Sequence, residues 1–126
     1  MIKRTRSVGL NVRDQQGAVD FFVGKLGFEL RRDEPMGLDT RWIELAPPGD
    51  ETVLVPFTPP GLEDRIGSFS GVVFQCDSVE RTYAELRAQG VEFAEEPTRQ
   101  SWGMWAQFKD PEGNVYGLVE SGEQHA

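Results

Sequence analysis

The chain has 126 residues, 38% of them hydrophobic and 27% charged, with a formal net charge of −8 at pH 7. This length suits one domain with a real core or two small modules, and the acidity argues against nucleic acid as a partner, because neutralising phosphates takes a basic patch. No apolar run approaches the roughly 20 residues of a membrane span, the basic start Met1-Ile-Lys-Arg-Thr-Arg-Ser7 lacks the apolar stretch of a signal peptide, and the single cysteine, Cys76, precludes an internal disulfide and fits a reducing cytoplasm.

Val8, Leu10 and Val12 alternate with Ser7, Gly9 and Asn11, which predicts a strand with one face in a core. Asp14 is the expected N-cap of a helix from Gln15 to Lys25, with Ala18, Phe21, Phe22 and Leu26 as its apolar stripe and Gly27 as its stop. Phe28 to Leu30 starts a second strand, Glu34 to Asp39 reads as a loop, and Arg41 to Val55 reads as a hairpin turning at Pro47-Pro48-Gly49-Asp50. Residues 58–69 contain Pro59-Pro60-Gly61 and Gly67, the composition of a linker.

The pattern then restarts. Val72, Phe74 and Cys76 share one face of a strand; Gly71, Val73 and Gln75 share the other. Asp77 or Ser78 caps a helix ending near Gln89, with Glu80 three residues after Asp77 as a variant capping box. Val79, Tyr83 and Leu86 form its stripe, and Gly90 closes it. Val91 to Phe93 begins a strand, Glu95 to Gln100 reads as a loop, and Ser101 to Glu120 is a hairpin around Asp110-Pro-Glu-Gly-Asn114. Trp42, Pro48 and Gly49 of the first hairpin match Trp105, Pro111 and Gly113 of the second, half the chain later, which indicates a duplicated β-α-β-β-β module. The expectation is an α+β domain over residues 1–126: module one 1–57, linker 58–69, module two 70–120 and a polar, fraying tail 121–126. Two curved mixed sheets with helices outside would enclose a cleft.

The duplicated module, Val12-Arg-Asp14 entering a helix, Lys25-Leu-Gly-Phe28 leaving it, and Trp102-Gly103 with Asp110-Pro-Glu-Gly-Asn114 resemble the vicinal oxygen chelate superfamily, which includes glyoxalase I, extradiol dioxygenases, and fosfomycin- and bleomycin-resistance proteins. The resemblance spans Ile2 to Glu120. It implies a divalent metal held by His, Glu or Gln on the first and last strand of each module, and a homodimer. Mapped onto this chain, those positions carry Ser7, Val53, Gly71 and Gly117, none a competent ligand, and the one histidine is His125 in the tail. No metal and no cofactor are therefore expected.

Strand parity assigns the other cleft-lining residues. Ile43 and Leu45 suit a core, which leaves Trp42 and Glu44 facing the cleft; Ala106 and Phe108 do the same for Trp105 and Gln107. Asn11, Gln75, Val53, Val55, Val73, Val119 and the glycines Gly9, Gly71 and Gly117 complete that surface, the glycines leaving room for a ligand. The reading is a small-molecule binder of the bleomycin-resistance kind, its aromatic or cationic ligand stacked on Trp42 and Trp105, with Glu44, Asn11, Gln75 and Gln107 as polar contacts. The alternatives stay open: the tryptophans bury at an interface, Asn11 and Gln75 satisfy each other, or the chain is an enzyme using displaced metal ligands or Glu44 as general base. Trp102 reads as a loop anchor, Cys76 as core, and Asp14, Asp50 and Asp110 as cap and turn residues.

Overall fold

The computed structural model describes residues 1–120; the expected fraying tail and His125 lie outside the described residues. The chain divides into two compact units, Met1–Ile66 and Gly67–Ala126, and each runs strand, helix and three strands. The fold is α+β, with two four-stranded mixed sheets that do not close.

The first unit contains β1 (Ser7–Leu10), α1 (Gln15–Gly24), β2 (Glu29–Pro35), β3 (Arg41–Ala46) and β4 (Val53–Pro56). The sheet order is β1-β4-β3-β2, with β1 parallel to β4 and the other pairs antiparallel. Asp14 caps α1 as expected, its Oδ1 accepting from the Gly17 N–H at 2.9 Å. Ala18, Val19, Phe21 and Phe22 are buried, whereas Leu26, assigned to the stripe, is only half-buried. Phe22 meets Phe21 and Phe28 at ring separations of 5.2 Å. The first strand stops at Leu10 rather than Val12, because the Val12 N–H leaves the ladder and donates to Thr58 Oγ1 at 2.8 Å.

The second unit contains β5 (Phe69–Cys76), α2 (Val79–Ala88), β6 (Phe93–Gln100), β7 (Gly103–Lys109) and β8 (Val115–Glu120), in sheet order β5-β8-β7-β6. Val79, Met104, Ala106 and Leu118 form its core, with Phe74, Cys76 and Phe93 against it. Ser78, not Asp77, is the N-cap: its hydroxyl accepts from the Arg81 N–H at 3.2 Å. Glu80 then falls at the second helical position, so the expected capping box is not built. The Val79 N–H donates instead to Glu120 Oε1 at 3.0 Å. At the other end Gly90, at φ +87°, donates to Arg87 O, and Val91 donates to Leu86 O, a Schellman closure with Leu86 and Val91 both buried.

Two segments expected as loops are strands. β2 continues through Glu34 to Pro35, and β6 occupies all of 93–100. Both are edge strands. Every residue of β2 is exposed, so it has no apolar alternation to reveal it. Pro97 sits within a register irregularity between Glu95 and Thr98, where a missing N–H costs the ladder nothing.

The Asp110–Asn114 turn is a buried polar knot. Asp110 Oδ1 accepts from the N–H groups of Glu112 and Asn114 at 2.9 and 3.0 Å. Its Oδ2 accepts from Asn114 Nδ2 at 2.9 Å and from the Tyr116 hydroxyl at 2.7 Å. Asn114 Oδ1 in turn accepts from the Gly67 N–H at 2.7 Å. Gly113 supplies the left-handed residue, at φ +85°. Burial first, and then the Asp110 carboxylate, push the Tyr116 hydroxyl far above the ordinary tyrosine range, so it stays a donor. The corresponding turn of the first unit is plainer: the exposed Asp50 carboxylate accepts, among the described residues, only from the Thr52 N–H, at 3.1 Å, while the Asp50 carbonyl accepts from Arg31 Nη1.

Candidate functional site

Strand parity places Trp42, Glu44 and Ala46 on the face of β3 away from the core of Ile43 and Leu45. Val53 and Val55 of β4 join Ala46 there in a buried cluster, with Trp42 and Phe57 packed against it. Glu44 lies on this face, 6% exposed. Its Oε2 accepts from Trp42 Nε1 at 2.8 Å and from Arg6 Nη2 at 3.2 Å. The Trp42 hydrogen bond first, and then the Arg6 charge, hold its carboxyl below the ordinary value of 4.5, against the opposing effect of burial. This carboxylate fixes the plane of one indole and anchors one guanidinium.

Arg32 stands directly across the ladder from Glu44, and Glu34 across from Trp42. Arg32 makes a two-pronged bridge to Glu34, with Nε at 2.9 Å from Oε2 and Nη2 at 3.2 Å from Oε1. Together Arg6, Ser7, Arg32, Glu34, Pro35, Met36, Trp42 and Glu44 line a pocket of about 400 Å³. Trp42, Glu44 and Ser7 were legible by parity. Arg6, Arg32, Glu34, Pro35 and Met36 were not: they come from a strand hidden by its exposed composition, from the residue just past its end and from the segment before β1. Asn11, expected beside them, lies past the end of β1 and is not among the lining residues.

Folding favours the ionised form of Glu44, so its contribution to stability is complete above pH 4.5 and is lost as pH falls through the depressed value. Glu44→Gln is therefore expected to unfold at lower urea concentration than the unaltered chain near about pH 7, with the gap closing near about pH 3. Urea titrations at the two pH values check this, and a gap independent of pH would mean that the charge does not matter.

The second unit repeats the arrangement with different chemistry. Trp105 and Gln107 are half-buried on β7, with Met104, Ala106 and Phe108 in the core beneath them. Trp105 Nε1 donates to Glu95 Oε1 at 3.0 Å, so the acceptor comes from the neighbouring strand. Glu95 stands opposite Gln107, as Arg32 stands opposite Glu44. The Trp105 ring lies over Gly117: a Cβ there would come within 2.8 Å of Trp105 Cζ3 and 3.0 Å of Val73 Cγ2. The space expected at Gly117 for a ligand is thus filled by an indole. Around Gly9 and Gly71 it is open. Trp102 meets Trp105 edge-on, ring centroids 5.8 Å apart, which suits the anchoring role. Gln75 is exposed on β5, opposite Val119. Cys76 packs against the core, and burial pushes its thiol up, away from nucleophilic use.

Sheet register corrects one metal-ligand position. Trp42 matches Trp105, so Leu45 matches Phe108; Leu45 pairs with Leu54 and Phe108 with Tyr116, so Leu54 corresponds to Tyr116. The counterpart of Gly117 is Val55, one pleat beyond Val53. The substitution changes nothing chemically. Ser7, Val55, Gly71 and Gly117 supply one hydroxyl among them, and this donor set does not fit a divalent metal. Of the carboxylates that a register slip would bring in, Glu120 caps α2 and Glu51 is exposed beside Arg4. No three His, Cys, Asp or Glu side chains cluster among the described residues.

The paired βαβββ units place the chain in a broad class of glyoxalase-like proteins. The chain belongs to the Glyoxalase/Bleomycin resistance protein/Dioxygenase superfamily, whose family model matches residues 4–117. It is 40% identical over 120 residues to the uncharacterized protein YetH of Bacillus subtilis, covering 95% of this chain and all of that one. Among solved structures, it is similar to TnmS3 of a Streptomyces species, described as an antibiotic binding protein, at 37% identity and a TM-score of 0.84, covering 94% of this chain and 96% of that one. A superfamily member from Sphaerobacter thermophilus superposes with a TM-score of 0.86 at 32% identity, covering 95% and 98%.

Proposed function

We propose that the chain binds and sequesters a small organic molecule, without metal, using the Trp42 face of the first unit as its stacking surface. The observation that carries this reading is an indole hydrogen-bonded to the buried Glu44 carboxylate at the wall of a pocket of about 400 Å³, a size suited to a small ligand. A fixed aromatic plane loses little entropy when a flat ligand stacks on it. The likeness to TnmS3 supports the same class of ligand, an antibiotic-like organic molecule.

A catalytic use of Glu44 as general base has less support. Its carboxyl is held below the usual range, which makes it a weak base, and Oε2 is engaged by both Trp42 and Arg6.

Binding is read by quenching of tryptophan emission. Trp42→Ala is expected to weaken any ligand that quenches the unaltered chain by about 1 kcal/mol or more, the worth of an aromatic contact plus its area. Unchanged affinity would remove Trp42 from the site.

A further inference from the structure

We infer that the pocket of the first unit selects flat ligands whose rim carries anionic oxygens, not the cations that two glutamates beside a tryptophan first suggest. The inference rests on the binding reading above and adds the charge class of the ligand. It follows from which hydrogen-bonding groups are already engaged. Glu44 Oε2 serves Trp42 and Arg6, both oxygens of Glu34 are taken by Arg32, and Glu44 Oε1 is the one oxygen of the two carboxylates that accepts no hydrogen bond among the described residues. The Trp42 N–H is spent on Glu44. The donors are in surplus. A guanidinium carries five N–H groups; Arg6 spends only Nη2 on Glu44, and Arg32 spends only Nε and Nη2 on Glu34, with no further acceptor for either among the described residues. Ser7 lines the same pocket. The pocket therefore offers a flat indole flanked by two forked donors, the arrangement that recognises carboxylate, enolate or phenolate oxygens.

The second unit sharpens the contrast. Both units give the indole N–H a carboxylate acceptor, but they draw it from opposite sides of the same ladder rung. In the first, Glu44 on the tryptophan's own strand does the work, and the facing position is free to carry Arg32. In the second, Glu95 on the neighbouring strand does it, and the facing position carries neutral Gln107. The donor surplus beside a tryptophan is thus a property of the first unit's rung, built where the repeat alone does not demand it.

Three matched probes test this on the full chain: 2-naphthoate, 2-naphthylmethylammonium and 2-naphthalenemethanol, each titrated against tryptophan emission and checked by calorimetry. The carboxylate is expected to bind at least about tenfold more tightly than the ammonium at low salt, with the advantage shrinking as salt rises. Arg32→Gln should bring the carboxylate-to-ammonium ratio toward one, because it removes a donor and releases Glu34. Arg6→Gln serves as a second variant should Arg32→Gln fold poorly. Equal or tighter binding of the ammonium would overturn the charge assignment and leave the stacking site standing. Binding of none of the three to the folded chain would overturn the site itself.

Discussion

Asp110→Ala is expected to cost about 3 kcal/mol or more of stability, enough to consume a large part of a typical domain's margin. Four donors converge on this carboxylate, two backbone N–H groups, the Asn114 amide and the Tyr116 hydroxyl, all within 3.0 Å. Asp110, Asn114 and Tyr116 are buried, so water does not replace the lost acceptor and each stranded donor retains its desolvation cost. Asp50→Ala is the internal comparison. That turn is exposed and its carboxylate serves one backbone N–H, so the loss should stay under about 1 kcal/mol. Equilibrium denaturation of the two variants side by side reads the difference. Similar small losses would mean that the knot is not what holds the β7–β8 turn.

Gly117→Ala should be the second large effect, at about 1–3 kcal/mol. The backbone of Gly117 lies outside the left-handed region, so the cost is purely one of space. The added methyl meets the six-membered ring of Trp105 and the Val73 side chain, and the indole is tethered by its bond to Glu95. Trp105→Phe in the same chain shortens the obstructing ring and is expected to recover part of the loss, a non-additivity visible in a double-mutant cycle. A neutral Gly117→Ala would show that the indole is free to move aside.

Much of this arrangement was readable from residue order alone. The repeat, Asp14 as a cap, the core parity of Ile43, Leu45, Ala106 and Phe108, and the outward placing of Trp42, Glu44, Trp105 and Gln107 all follow from alternation and turn chemistry. The two strands that sequence alone leaves as loops share a cause. β2 and β6 are edge strands, and fully exposed β2 has no hydrophobic signature. With β2 read as ending in a loop, Arg32 and Glu34 had no partners, and the cross-strand rungs that complete the pocket were invisible. Gly117 was misjudged for a different reason. A glycine beside a tryptophan leaves the same trace in sequence whether the gap admits a ligand or is filled by the tryptophan itself. The Val53 position slipped because the loop before β4 sets the register, and loop length is not fixed by periodicity.

The carboxylate's side of the rung also constrains how the two halves could have diverged after duplication. Converting the Arg32/Glu44 rung into the Glu95/Gln107 form takes two changes. Made first at position 32, the change sets two glutamates face to face, a repulsive cross-strand pair. Made first at position 44, it strips the indole of its charged acceptor while leaving Arg6 without its anion. Either single step costs stability at this rung. Exchange of one rung for the other without a repulsive or unpaired intermediate therefore calls for coordinated substitution at positions 32 and 44.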